Sequence, residues 1–374
     1  MPRSIALGSS LGLYGLCLAL TACGDSGSST SVYGTKGATL SAGPTSASET
    51  GTTDPATGDG DGDGSLLDLG GQMTTSGDGD GDGGDGDCTL PHTPCDAGSE
   101  DPFAAIGLGC PGETPIEPSI DAHPDGMAVR SSFGATATYD PREGSTFFVL
   151  STGDAAELDN EPTNAGDQIN HCNSWFSPGD GMDTTSFPAP IVANNVGGDC
   201  LANPGLVGTG DCSNTIQAQF NQSGWKYDYQ EIRLTLTVPE GANSLAFDVA
   251  YFTTEWPVFA GQAYNDMFIA WLEAPNWTGN VSFDDNGNAL SLNAAFFEFE
   301  DVNGQLPEFA GTCMRYGAGT PWLTSTAPVV PGDTIELVFA IFDLDDVNLD
   351  SFVFLDNFRW LCEGSGPPST VPIP

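Results

Sequence analysis

Positive charge is scarce in this chain. Eight Lys+Arg stand against 51 Asp+Glu, a formal net charge of −43 over 374 residues. So acidic a surface repels phosphate backbones and anionic headgroups, which excludes nucleic acid as a partner. Histidine is nearly as rare, at His92, His123 and His171. No Cys-x-x-Cys occurs, so a zinc site has only the His171-Cys172 pair to start from. None of the three histidines has a Gly-x-Ser-x-Gly or comparable nucleophile beside it, and no glycine-rich phosphate loop opens a helix. Sustained helical periodicity is missing, and so, beyond residue 20, is any apolar run long enough to cross a bilayer.

The one long apolar run, Ile5 to Leu20, follows Arg3 and ends in Leu20-Thr21-Ala22-Cys23-Gly24. Its length suits the h-region of an export signal. The tetrad before Gly24 resembles the bacterial lipobox, in which cleavage precedes the cysteine and the thiol takes a diacylglycerol. The expectation is a signal peptide over 1–22, lipidation at Cys23, and anchoring to the outer membrane or cell surface of a Gram-negative bacterium. Residues 24–87 are Gly, Ser, Thr, Asp and Pro with few large apolar side chains. That composition predicts a disordered acidic linker, about 40–50 Å end to end as a flexible coil. Asp59-x-Asp61-x-Asp63-Gly64 and Asp78-x-Asp80-x-Asp82-Gly83 open like calcium loops. Position twelve, where a bidentate Glu belongs, is Gly70 or Thr89, so an EF-hand is excluded.

Eight further cysteines, Cys88, Cys95, Cys110, Cys172, Cys200, Cys212, Cys313 and Cys362, are disulfide candidates in an exported chain, with 105 pairings open. Residues 88–144 read as a Cys/Pro/Gly-rich lead-in. From Ser145 the chain alternates apolar and polar residues over short segments: 145–151, 231–238, 244–252, 266–272, 290–299, 334–342 and 351–361. Period two with Gly, Pro and Asn between the runs predicts an all-β, antiparallel, jelly-roll-like β-sandwich over 145–362, with 363–374 as a disordered tail. The stretch 153–229 holds three cysteines, and reads either as a functional loop or as a stapled cover for a sheet edge.

Phe148-Val149-Leu150-Ser151-Thr152-Gly153-Asp154-Ala155, Phe247 to Trp256, Tyr264-Asn265-Asp266-Met267-Phe268, Ala340 to Val347 and Leu349 to Phe354 follow one another in an order that resembles choice-of-anchor L domains. Lipobox and Gly/Asp tether together also have the style of myxobacterial surface lipoproteins. The resemblance covers about residues 145 to 361 and departs at Trp256, at Phe342 and in the cysteine-bearing insertion after Ala155. It implies a surface domain joined to whichever anchor its host uses, here the N-terminal lipid, and it implies no reaction.

Glu255, Asn265, Asp266, Asp343, Asp346, Asp350 and Asp356 are hard oxygen ligands near strand ends or on an apolar strand face. They are candidate ligands of a structural Ca²⁺, the alternative being turn caps and a solvated loop. Trp256 and Trp322, each beside a proline, are candidate sugar-stacking side chains; Trp271 and Trp360 read as packing. Glu298 and Glu300 share one strand face, so they are not opposed across a substrate as a glycosidase requires. The sequence therefore predicts a lipid-anchored surface module for adhesion or ligand binding, its partner a surface polysaccharide or protein, rather than a catalyst. A secreted carbohydrate-active hydrolase and a purely structural envelope protein are the alternatives.

Overall fold

The structure, a computed structural model, describes residues 90–176, 182–220, 225–262, 264–294 and 296–373. The signal, Cys23, the tether with its two Asp-Gly runs, and Cys88 lie outside the described residues. Fourteen strands are present among those described. In chain order they are β1 (Ile116–Asp121), β2 (Met127–Arg130), β3 (Phe147–Ser151), β4 (Lys226–Thr237), β5 (Ser244–Thr253), β6 (Met267–Ala274), β7 (Trp277–Asn280), β8 (Leu290–Ser291), β9 (Phe299–Glu300), β10 (Ala318–Gly319), β11 (Leu323–Pro328), β12 (Thr334–Leu344), β13 (Ser351–Leu361) and β14 (Ser369–Pro372). Two short helices join them, α1 (Pro102–Ile106) and α2 (Gln217–Phe220).

The strands form two antiparallel sheets, so the all-β sandwich expected from the alternation is what the chain adopts. One sheet runs β1-β4-β12-β6-β7 with β8 beside β6; the other runs β14-β11-β5-β13-β3-β2 with β10 and β9 continuing from β5. The chain passes from sheet to sheet at β1–β2, β3–β4, β4–β5, β5–β6, β8–β9, β11–β12 and β12–β13. The core between the sheets is built from the residues that alternation singled out. Ile232, Leu234 and Leu236 face it from β4, Leu245, Phe247, Val249 and Tyr251 from β5, and Ile335, Leu337, Phe339 and Ile341 from β12. Phe247 and Phe339 meet across it edge to face, with ring centroids 4.9 Å apart.

The outer faces are covered too, which is why β5 and most of β12 and β13 read as nearly continuous apolar runs. Phe133, Tyr139, Phe309 and Trp322 pack on Phe147, Phe252 and Phe354 outside the second sheet. Ile191 and Ile216 pack on Met267, Trp271 and Val338 outside the first. The stretch 153–229 thus covers a sheet face. Disulfides hold these covers: Cys172–Cys313, Cys200–Cys212 and Cys95–Cys110 are bonded, as is Cys362.

Three expectations need correction. The 363–374 tail is not outside the fold, because Ser369–Pro372 pairs with β11 and forms the edge of the second sheet; the β-branched Thr370 and Val371 suit such an edge. The lead-in contributes α1 and two edge strands, the largely exposed β1 and the half-exposed β2, which carry little alternation. The 290–299 run yields only the two-residue strands β8 and β9.

Candidate metal centre

Antiparallel pairing brings the ends of β3, β5 and β12 to the same edge of the sandwich as the starts of β4, β6 and β13. Each of these ends except that of β3 carries a carboxylate. Asp228 is near the start of β4, and Asp343 near the end of β12. Glu255 lies just past β5, while Asp266 and Asp350 lie just before β6 and β13. Asp228, Asp343 and Asp350 are 0% exposed, Asp266 1% and Glu255 2%. Asp346, in the β12–β13 connection, is half-buried. The local backbone is built to put them there. Asp228 has a left-handed φ of 48° where the β4–β12 register slips between Ile341 and Asp343, a bulge that redirects the strand end. At Gly153 a Cβ would lie 1.9 Å from Asp350 Oδ2, so only glycine leaves room for that carboxylate.

Few donors reach these groups. Asp228 Oδ1 accepts from Phe176 N at 2.7 Å, and Asp266 Oδ2 from Ser351 Oγ at 2.7 Å. Asp350 Oδ2 accepts two long bonds from Ser174, at 3.3 and 3.4 Å. Asp266 N donates to Glu255 Oε2 at 3.4 Å. Asp228 Oδ2, Asp266 Oδ1, Asp350 Oδ1 and both oxygens of Asp343 are buried without a hydrogen bond of ordinary geometry, though the Thr152 side chain approaches Asp343, and Asp343 approaches Asp266, closely enough to offset part of their shifts. None of the ion pairs among the described residues includes any of these carboxylates. Burial, then repulsion from neighbouring carboxylates, pushes the pKa values of Asp266, Asp343 and Asp350 well above the usual carboxylate range. Asp228, Glu255 and Asp346 are raised for the same reasons.

Buried aspartates elsewhere in the molecule are treated differently. Asp96 Oδ2 accepts from the N–H and hydroxyl of both Ser145 and Thr146; although burial opposes it, these donors hold Asp96 below its ordinary value. Asp211 accepts from Ser213, Thr215, Ile216 and Asn280. Asp301 accepts from the backbone of Gln305, Leu306 and Tyr316. Asp248 is paired with Arg359 at 3.1 Å and Arg142 at 3.5 Å. These four aspartates receive donors or cations, as burial demands. The strand-end group departs from that rule. All-oxygen, anionic donors in a group of this size suit a hard divalent cation, Ca²⁺ above all. Among the described residues, no three His, Cys, Asp or Glu side chains sit at metal-holding geometry.

Of the sequence-predicted ligands, Glu255, Asp266, Asp343, Asp346 and Asp350 are therefore brought to one place. Asn265 is adjacent, but its amide is occupied: Nδ2 donates to Gln219 Oε1 at 2.8 Å and Oδ1 accepts from Asn293 N at 3.1 Å. Asp356 is not brought there. Its carboxylate accepts from the backbone of Arg142, Glu143 and Asn357, with burial raising its pKa to about 8. A bulge between Asp356 and Arg359 also moves Phe358 and Trp360 off the face that Asp356 shares with Phe352 and Phe354. Trp322 is only 3% exposed and packs on Phe147 and Phe354, so it offers no stacking surface. Trp256 is half-buried. Trp271 and Trp360 pack as expected. Cys172 is bonded to Cys313, so it gives His171 no thiolate for zinc. The sequence reading missed Asp228. No family model matches the chain, nor does any of the curated proteins or solved structures compared with it.

Proposed function

We propose that this chain is a lipid-anchored module of the cell surface that binds a partner rather than transforming one, with Ca²⁺ as a structural cofactor at the strand-end carboxylates. The observation that carries the cofactor is the set of five buried oxygens, on Asp228, Asp266, Asp343 and Asp350, that have neither a hydrogen bond of ordinary geometry nor a counter-ion. The lipobox-like tetrad, the acidic tether and the disulfides support export and anchoring, and the resemblance to choice-of-anchor L domains points the same way. The partner is a surface polysaccharide or protein. A cavity of about 460 Å³ beside the edge strand β2, lined by Arg130, Asp154 and Asp159 among others, is a polar concavity large enough for one side chain or sugar unit of such a partner.

The test is thermal unfolding in excess Ca²⁺ and in chelator. At a hundredfold excess over Kd, one site adds about 2.7 kcal/mol. For a domain of this size that raises Tm by about 5–10 °C. Identical melting curves in the two conditions refute the cofactor.

A further inference from the structure

β2 ends its sheet, and among the described residues it pairs only with β3. In an antiparallel edge strand, alternate backbone N–H and C=O groups point away from the neighbour. No other described segment pairs with Met127–Arg130 on that side. We propose that β2 is a docking edge for an extended segment of a partner protein, which adds as a further strand and carries basic side chains on one face and apolar side chains on the other. This rests on the partner-binding reading above and names the partner as a polypeptide.

The two faces of β2 differ in chemistry. Met127 and Val129 pack toward the core between the sheets, and Ala128 toward the aromatic cover outside the second sheet. The cavity of about 460 Å³ is lined by Asp154 and Asp159 from the turn whose Ala155 and Leu158 belong to that outer cover. A second cavity, of about 420 Å³, shares Pro124, Met127, Ala128 and Val129 with the first, but is completed by Pro102 and the core side chain Phe148. Successive residues of a strand point to opposite faces, so a segment laid along β2 sends one parity into each cavity. The first cavity sets Asp125, Asp154 and Asp159 against the single cation Arg130, which already pairs with Asp159. A lysine or arginine complements it, as the net charge of −43 also favours. Glu100 is the only charged residue lining the second cavity, which suits an apolar side chain. Main-chain pairing with pockets for alternate side chains is how a sheet edge recognises a peptide; a polysaccharide offers neither the backbone nor the alternation.

The other edges are closed in the ways that prevent pairing. β1 has Pro118 in its middle, between Glu117 and Asp121. β14 ends in Pro372 and follows Pro367 and Pro368. Along β7 the edge is covered, with Cys212 N donating to Thr278 O at 2.9 Å and Asn280 N to Asp211 Oδ1 at 3.1 Å. β8 and β9 are two residues long. β2, with the sequence Met127-Ala128-Val129-Arg130, has no proline and no cover.

Anisotropy titration of the whole protein with a short, labelled, end-blocked peptide alternating lysine and valine tests the edge. The expected result is saturable binding, absent for a peptide alternating glutamate and valine. Backbone pairing is read from two N-methylated versions of the lysine peptide, one blocked at its lysine N–H groups and the other at its valine N–H groups. An added strand turns only one of these sets toward β2, so one version should bind at least about tenfold more weakly and the other like the parent. Asp125→Lys, at an exposed position, should weaken the lysine peptide about tenfold. Asp285→Lys makes the same charge change at an exposed place in the β7–β8 connection, outside both cavities, and should leave binding unchanged. Equal binding or equal loss of the two methylated versions, or equal effects of the two substitutions, overturns strand addition at β2. So does a dimer of the protein alone, seen by sedimentation, that the lysine peptide dissociates, since the edge then belongs to a second copy. Binding of a glucosamine oligomer that Asp125→Lys abolishes, without binding of the peptide, overturns the polypeptide partner and keeps the surface-binding reading. No binding of either probe overturns the docking edge and removes the cavity's support from that reading.

Discussion

Replacing Asp343 by Asn separates a metal ligand from a merely structural side chain, because the two roles predict opposite dependence on Ca²⁺. Asp343 is fully buried, and both its oxygens lack hydrogen bonds of ordinary geometry. Burial comes first among the causes that raise its pKa, and repulsion from Asp266, Asp228 and Asp350 adds to it. In chelator those causes favour the neutral form of the side chain, which Asn matches closely in shape. The expected change there is within about 1 kcal/mol, the range of a single modest hydrogen-bond difference. In saturating Ca²⁺ the unmodified protein gains about 2.7 kcal/mol per site at a hundredfold excess over Kd. Asp343→Asn should forfeit most of that, which lowers Tm by about 5–10 °C relative to the unmodified protein. Differential scanning fluorimetry of both proteins, with and without chelator, reads the four values required. Equal destabilisation of the variant in both conditions would refute the ligand role.

Three further outcomes follow from other parts of the molecule. Gly153→Ala should drive the Asp350 carboxylate from its place, since the new methyl would meet it at 1.9 Å; loss of most of the Ca²⁺-dependent rise in Tm is expected, while Gly364→Ala, with open space around it, should melt like the unmodified protein. Cys172→Ala/Cys313→Ala removes a bond that spans 141 residues, against 12 for Cys200–Cys212; loop entropy sets the upper costs at about 5 and about 3 kcal/mol, and urea midpoints in the reverse order would count against a chain-entropy origin. His92 is clasped by Glu113 and Glu143, whose hydrogen bonds raise its pKa to about 10 from an ordinary 6.5. Its contribution to stability is complete below pH 6.5, declines as pH rises, and is gone above about 10. The difference in urea midpoint between the unmodified protein and His92→Gln should shrink over that interval, and a constant difference would exclude the clasp as its cause.

Alternation made the core strands legible in the sequence because those strands have one face toward the opposing sheet throughout. Ile232, Leu234 and Leu236 on β4, or Ile335, Leu337 and Phe339 on β12, keep their parity over the whole run. Where pairing involves an edge, the signal fades. β2 is half-exposed at each of its four residues, and β1 has one half-buried residue followed by five exposed ones. β14 joins the fold through backbone pairing with β11, which leaves almost no pattern in side-chain polarity. Trp322 misled for a related reason: the proline beside it marks a loop, but the loop lies under the aromatic cover of the second sheet. Sequence neighbours report on local backbone and say nothing about what another segment lays on top.

The strand-end carboxylates show the same boundary between local and distant information. Asp266, Asp343 and Asp350 adjoin alternating runs, so antiparallel pairing alone places them near one edge, and their chemistry was readable. Asp228 was not, because it stands between Tyr227 and Tyr229 at a bulge where parity breaks; an aspartate flanked by aromatics at the start of a strand was the available signal. Asp356 erred in the opposite direction, since an acid on an apolar face looks like a ligand until the backbone donors of Arg142, Glu143 and Asn357 are seen. What distinguishes the two is satisfaction rather than burial. Stability alone favours filling such positions with apolar side chains, since desolvating a carboxylate without a partner costs more than it returns. This chain supplies several donors or an arginine to each of Asp96, Asp211, Asp248 and Asp301 but leaves five oxygens of the strand-end group without one. Five buried acids gathered where donors are so few, with the half-buried Asp346 beside them, are what the proposed Ca²⁺ would satisfy, and Asp343→Asn is the substitution that tests it.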